Sequence, residues 1–319
     1  MSVIRSCTQS LSVAALCCSL SACDRDAAQA SLPDTAVAQL PVAGKAGTVH
    51  RIERDLGYGP DPNHRLDLSV PATKGFPTLL FIHGGSLTSG DKADDDYQNV
   101  CAGFPAAGIA CANVNYRLAP SHVWPAQAED IATAVAWVRA HIESRGGDPH
   151  KLFLLGHSSG AALAALMGTD ERYLGRRGLK TSDLRGVIPM GSIMWDDELE
   201  QALARHGRDS VEAAFGQDPD NRIYGSLDTY LDHWPIRHVR AGLPPFLFLI
   251  AESEQEQPPV LKTNRKFVEK ARELGNWAEY RILVGRTHYG AVRNLNAPGD
   301  PVFAMVRDFV RRFGGSGRR

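Results

Sequence analysis

Between Lys151 and Met167 the chain runs through the apolar residues Leu152, Phe153, Leu154 and Leu155, turns through Gly156-His157-Ser158-Ser159-Gly160, and continues into an alanine-rich stretch beginning at Ala161. A strand-length apolar run that passes without a linker into a helical run has room only for a very sharp turn. Gly156 and Gly160 permit that turn, because without a Cβ the chain can reverse tightly and the helix can close on its own strand. Such a turn holds Ser158 in a strained conformation with its hydroxyl exposed. No other segment constrains the fold as strongly: a strand that ends this way belongs in a sheet flanked by helices.

The rest of the chain agrees. From about Thr48 to Phe313, β-branched or apolar runs alternate with helical patterns. Arg51 to Leu56 and Arg65 to Val70 alternate in polarity, as antiparallel edge strands do. Thr78 to Ile82 is apolar on both faces, as parallel strands covered by helices are. Ile109 to Tyr116, Leu152 to Leu155, Gly186 to Met190, Phe246 to Ile250 and Glu279 to Val284 complete eight candidate strands. Ile131, Val135, Val138 and Ile142 form one helical stripe after Pro125, and Val302, Val306, Phe309 and Phe313 form another near the C-terminus. The alternation predicts right-handed crossovers and an α/β architecture, a mostly parallel sheet with helices on both faces. Ligands then bind at the carboxyl ends of the strands. From Ile193 to Arg240 the rhythm breaks: no strong strand, but helical patterns at Asp197 to His206 and Ser210 to Phe215. We read this stretch, about 193–240, as a helical lid-like insertion in one domain spanning 48–319, with Met194, Trp195, Tyr224 and Trp234 as candidates to line a pocket.

Ahead of that domain, Arg5 precedes an apolar run from Leu11 to Leu20 that is too short to span a bilayer and reads as the core of a signal peptide over 1–22. Leu20-Ser21-Ala22-Cys23 resembles the lipobox of bacterial lipoproteins. The resemblance implies cleavage before Cys23, lipid on its thiol, and anchoring by more than one acyl chain. Asp24 resembles the signal that keeps some lipoproteins in the inner membrane, which implies the periplasmic face of that membrane in the bacterial cell envelope. The Ala-, Ser-, Pro- and Asp-rich stretch to about Gly47 reads as a flexible tether over 23–47. Only Cys101 and Cys111 then remain inside the domain. An exported location permits a disulfide between them, and a pair of buried thiols is equally compatible with the sequence. With 35 basic and 36 acidic residues the net charge is −1, which gives no basis for a nucleic-acid partner or a polybasic membrane surface.

Chemistry at Ser158 requires a base, since an unassisted hydroxyl is a weak nucleophile. Of the eleven histidines, His288 alone lies downstream of His238, in the loop after the last candidate strand. The order nucleophile, acid, histidine matches one known arrangement of a catalytic serine, so the acid belongs after Phe246 to Ile250. That loop offers Glu252, Glu254 and Glu256 and no aspartate. Glu254 is our first choice by position and Glu256 the second; a carboxylate there would fix the imidazole tautomer and stabilise its protonated form. After Thr78 to Ile82 comes His83-Gly84-Gly85-Ser86-Leu87, where the main-chain N–H groups of Gly84, Gly85 and Ser86, with that of Ser159, could hold a developing oxyanion. Neither an HExxH nor a CxxC pattern occurs, so no metal and no organic cofactor is implied.

Gly156 to Gly160, His83 to Leu87, Gly90-Asp91-Lys92, Asn115 to Pro120 with Pro125-Ala126, and Trp234 to Val239 together resemble α/β-hydrolase esterases. The similarity covers roughly Arg65 to Phe313. It is greatest to hormone-sensitive-lipase-like carboxylesterases and to the branch with an HGGxW motif that contains kynurenine formamidases and feruloyl-esterase-like enzymes. It implies an α/β-hydrolase fold with an eight-stranded sheet. It also implies a serine hydrolase that cleaves small carboxylic esters, acetyl or feruloyl esters of carbohydrates first among them, through Ser158, His288, Glu254 and a covalent acyl-enzyme. Two other readings stay open: an arylformamidase-like amide hydrolase, and a catalytically silent binding protein. The chain departs from the family pattern at Leu87, where an aromatic residue is usual, and in the glutamate cluster that replaces the usual aspartate. The sequence leaves the oligomeric state open.

Overall fold

The computed structural model describes residues 51–255, 258–297 and 299–315. Cys23, the rest of the expected signal and tether, and Glu256 lie outside the described residues. Eight strands form one sheet: β1 (Arg51–Gly57), β2 (Arg65–Val70), β3 (Phe76–Ile82), β4 (Ala110–Val114), β5 (Gly147–His157), β6 (Leu184–Met190), β7 (Phe246–Ala251) and β8 (Ala278–Leu283). Their order across the sheet is β1-β2-β4-β3-β5-β6-β7-β8. The two pairings made by β2 are antiparallel, and every pairing from β4 onward is parallel.

The continuous apolar runs have a simple origin. Successive side chains on a strand point to opposite faces, and both faces here are covered. Leu80, Ile82, Leu152, Leu154, Phe246 and Phe248 enter one core. Leu79, Phe81, Phe153, Leu155, Leu247 and Leu249 enter the other. The first core is closed by α1 (Ala126–His141) and α2 (Ser159–Thr169) through Ile131, Val135, Leu163 and Leu166. The second is closed by the C-terminal helix Pro301–Gly314 through Val302, Val306 and Phe309. Both predicted helical stripes are thus the faces their helices bury. Cys101 and Cys111 are joined by a disulfide, with their Cα atoms 5.3 Å apart, which resolves the open choice between a bond and two thiols.

Between β6 and β7 the chain leaves the sheet for four short helices: α3 (Asp197–His206), α4 (Arg208–Phe215), α5 (Asn221–Tyr224) and α6 (Leu227–Asp232). Their caps are local and polar. Asp196 Oδ1 accepts the Leu199 N–H at 2.8 Å, and the Ser226 hydroxyl accepts the Thr229 N–H at 3.2 Å. The excursion lies at the carboxyl end of the parallel strands, where the ligand site of such a sheet belongs.

Candidate active site

Ser158 stands at the apex of the turn from β5 into α2 with φ 54° and ψ −129°, a conformation that costs an L-residue roughly 1–3 kcal/mol. Close packing of its flanking glycines keeps it there. A Cβ on Gly156 would lie 2.0 Å from the Gly160 carbonyl oxygen, and one on Gly160 would lie 2.3 Å from the Ile82 oxygen of neighbouring β3. The Ser158 N–H donates to the Met190 carbonyl at the end of β6, 2.9 Å away.

The next residue after Met190 meets the other two candidates. Gly191 has φ 65°, and a Cβ on it would fall 2.6 Å from Glu254 Oε1 and 3.1 Å from His288 Nδ1. Ser158, Glu254 and His288 therefore converge on the end of β6. His288 Nδ1 and Glu254 Oε1 are 2.6 Å apart, and Glu254 Oε2 accepts the Ala251 N–H at 2.7 Å. Both side chains are buried, Glu254 at 1% exposure and His288 at 6%. With Nδ1–H donating to the carboxylate, Nε2 of the imidazole keeps its lone pair and can accept a proton. Glu252 is exposed and turned aside, its Oε2 accepting the Gly285 N–H at 2.8 Å. Of the described carboxylates in that loop, Glu254 is the one brought to His288.

The loop after β3 contributes backbone. Ser86 and Leu87 take φ 53° and 61°, consecutive left-handed residues without glycine. Among the described residues, no main-chain carbonyl takes the N–H of Gly85 or Ser86. Ser159 opens α2, so its N–H has no partner within the helix. Gly84 packs closely on the turn: a Cβ on it would lie 2.7 Å from Ser158 Cβ and 2.8 Å from the Tyr97 hydroxyl oxygen. Gly84 thus also serves close approach to the turn, and Gly84, Gly85, Ser86 and Ser159 remain as candidate amide donors. The motifs beyond the loop hold it in place. Asn115 Nδ2 donates to Asp91 Oδ2 at 2.7 Å and Asn115 Oδ1 accepts the Lys92 N–H at 2.6 Å. The Tyr116 hydroxyl donates to the His83 carbonyl at 2.9 Å, and Leu87 O accepts the Ala119 N–H at 2.9 Å.

A cavity of about 290 Å³ opens beside Ser86 and Ser159. Leu87, Leu163 and Leu166 form one side, and Ile223, Tyr224 and Trp234 from the excursion form the other. Two of the four predicted pocket residues therefore line it. Met194 is fully buried elsewhere, and Trp195 instead donates from Nε1 to Glu200 Oε2 at 2.8 Å. Among the polar groups of the wall that escaped sequence reasoning, Asp220 and His233 are buried. Asp220 is 8% exposed, and its carboxyl is pushed up to about 6 by burial and then by the charges of Asp218 and Asp196. His233 is held down to about 3 by burial. Tyr97 and His157 were missed too. His157 lay in view inside the five-residue turn, whereas nothing near Tyr97 marks it. Among the described residues no three His, Cys, Asp or Glu side chains gather into a metal-binding group.

The sequence profile of the BD-FAE family matches residues 66–262, well over half of the chain. The chain belongs to the BD-FAE family. The BD-FAE match takes in the loop after β3, the Ser158 turn and Glu254, and ends before His288. Esterase LipC of Mycobacterium tuberculosis is 33% identical over 250 residues, which cover 75% of this chain and 60% of LipC. The chain thus spans less than two thirds of that relative. The gibberellin receptor GID1 of Oryza sativa subsp. japonica is 37% identical over 109 residues, 32% of this chain and 30% of the receptor. Among solved structures, a truncated form of a carbohydrate esterase from gut microbiota superposes with a TM-score of 0.66 at 16% identity, covering 85% of this chain and 99% of the other. At that identity the shared property is the fold, and this BD-FAE domain has the α/β-hydrolase fold.

Proposed function

We propose that the chain is a serine hydrolase of small carboxylic esters, held at the bacterial cell envelope by lipid on Cys23. The observation that carries the catalytic reading is the buried contact between His288 Nδ1 and Glu254 Oε1, which orients the imidazole beside the Ser158 turn. Ser158 Oγ attacks the ester carbonyl while His288 Nε2 takes its proton, and Glu254 stays ionised against the imidazolium. The N–H groups of Gly85, Ser86 and Ser159 receive the oxyanion. Collapse breaks the C–O bond, and His288 returns the proton to the departing alcohol. Water, deprotonated in turn by His288, attacks the acyl-enzyme, releases the acid and restores Ser158.

The cavity supports a short substrate, since about 290 Å³ is at the small end of ligand sites. The Cys101–Cys111 disulfide supports export, because such bonds persist in oxidising compartments. Ser158→Ala is expected to lower kcat on p-nitrophenyl butyrate by several orders of magnitude and to abolish labelling by a fluorophosphonate probe. The likeness to GID1 favours one competitor, a silent binding protein on the same scaffold. A parent protein that neither labels nor turns over ester would favour it.

A further inference from the structure

His157 sits inside the Ser158 turn, fully buried, and Tyr97 is 4% exposed. Each ring nitrogen of His157 has one partner. Nδ1 lies 3.1 Å from the Tyr97 hydroxyl, and Nε2 lies 3.0 Å from the main-chain carbonyl of His288. The rings of His157 and His288 are 4.5 Å apart between centroids.

These contacts allow one arrangement of protons. A carbonyl only accepts, so Nε2 of His157 carries the hydrogen and donates it to His288. Nδ1 is then the acceptor and the Tyr97 O–H the donor. The hydroxyl oxygen also packs against Gly84 of the loop after β3, where an added Cβ would lie 2.8 Å from it. One hydrogen-bonded chain therefore runs from Tyr97, packed on the loop after β3, through His157 to the backbone of the base. Tyr97 is fixed at its own end, where its carbonyl accepts from Asn113 Nδ2 of β4 at 3.0 Å.

We propose that Tyr97 and His157 are a buried pair of positioning residues that clamps the His288 loop to the serine turn and to the amide-bearing loop, so that base, nucleophile and oxyanion donors keep one relative geometry through turnover. The inference rests on the hydrolase reading above. A clamp of this kind works only if His157 does not compete with His288 for the serine proton. Burial, and then the positive charge of His288, hold His157 well below the usual histidine range, so it stays neutral as the base becomes charged.

The test compares the parent with Tyr97→Phe, His157→Gln, His157→Leu and the Tyr97→Phe/His157→Gln double variant, reading kcat and KM on p-nitrophenyl butyrate, fluorophosphonate labelling and Tm. Tyr97→Phe keeps the ring in the core and removes only the O–H, so His157 loses the donor that fixes its tautomer. The expected result is a fall in kcat on the order of 10- to 100-fold, the scale of small misplacements of reacting groups, with KM within about twofold and little change in Tm. Gln can still offer an N–H to the His288 carbonyl, so His157→Gln is expected to retain more activity than His157→Leu. Because the two residues act in series, adding Tyr97→Phe to His157→Gln is expected to cost little more, a coupling that independent packing defects do not give. Full kcat in Tyr97→Phe, or losses that simply multiply, would overturn the clamp while leaving the hydrolase reading intact. Should the His157 variants not fold, Tyr97→Phe alone decides. A parent that neither labels nor turns over ester would remove the hydrolase reading and the clamp with it.

Discussion

Glutamate carries one more methylene than the aspartate usual in the related esterases, and the chain after β7 takes up the extra length. Glu252–Glu254 form a single 3-10 turn, which brings Glu254 back so that Oε2 reaches the Ala251 N–H while Oε1 reaches His288. Glu254→Gln removes the charge that balances the imidazolium and can hold the imidazole in the wrong tautomer. By analogy with other triads kcat/KM is expected to fall on the order of 10³- to 10⁴-fold, while Glu252→Gln stays within about twofold. Equal losses in the two variants would reverse the assignment. At this scale the sequence was legible wherever chemistry prescribes both a residue type and a place in the chain, as for Ser158 and His288. It was silent where fit decides. That Gly84 presses on the turn, that Gly191 roofs the pair and that Tyr97 anchors His157 follow from distances between segments far apart in the chain.

The elements were more legible than their ends. All eight strands stand where alternation or continuous apolarity put them; in the seven that bury side chains the burial leaves a direct trace in sequence, while β1 buries none of its residues. Their limits moved. β5 begins at Gly147, ahead of its apolar run, because that stretch pairs with Phe76, and α4 starts at Arg208 because Gly207 (φ 76°) ends the turn before it. The excursion between β6 and β7 was read as helical, but its inward side only in part, through Tyr224 and Trp234, since short helices over a cavity have no clean stripe. Asp220 is the clearest case. Its carboxyl stands at about 6 in the folded chain against an ordinary 3.8, so folding favours its proton. The associated stability is fully present below about pH 4 and is lost as pH rises through about 6, on the order of 3 kcal/mol at most. Asp220→Asn is therefore expected to raise the unfolding midpoint at pH 8 and to leave it unchanged at pH 4. Identical melts at pH 8 would mean that the carboxylate has a compensating partner.

Across the whole molecule, every candidate catalytic group comes from the turns that follow β3, β5, β7 and β8, and none from β1 or β2. Because β1 is antiparallel to β2 and β2 is antiparallel to β4, β1 runs in the same direction as the central strands. The chain therefore enters the sheet at Arg51, at the edge of the sheet and at the end opposite those turns. Replacing Cys23 is predicted to change where the protein is found without changing what it does. Cys23→Ser should move it from the membrane fraction to the soluble one with kcat/KM within about twofold, and retention of the variant in membranes would exclude the lipid anchor. The same polarity has a practical side. A domain coupled to a bead or an electrode through its amino end would hang with its reactive mouth turned outward, open to dissolved reagents instead of pressed against the support.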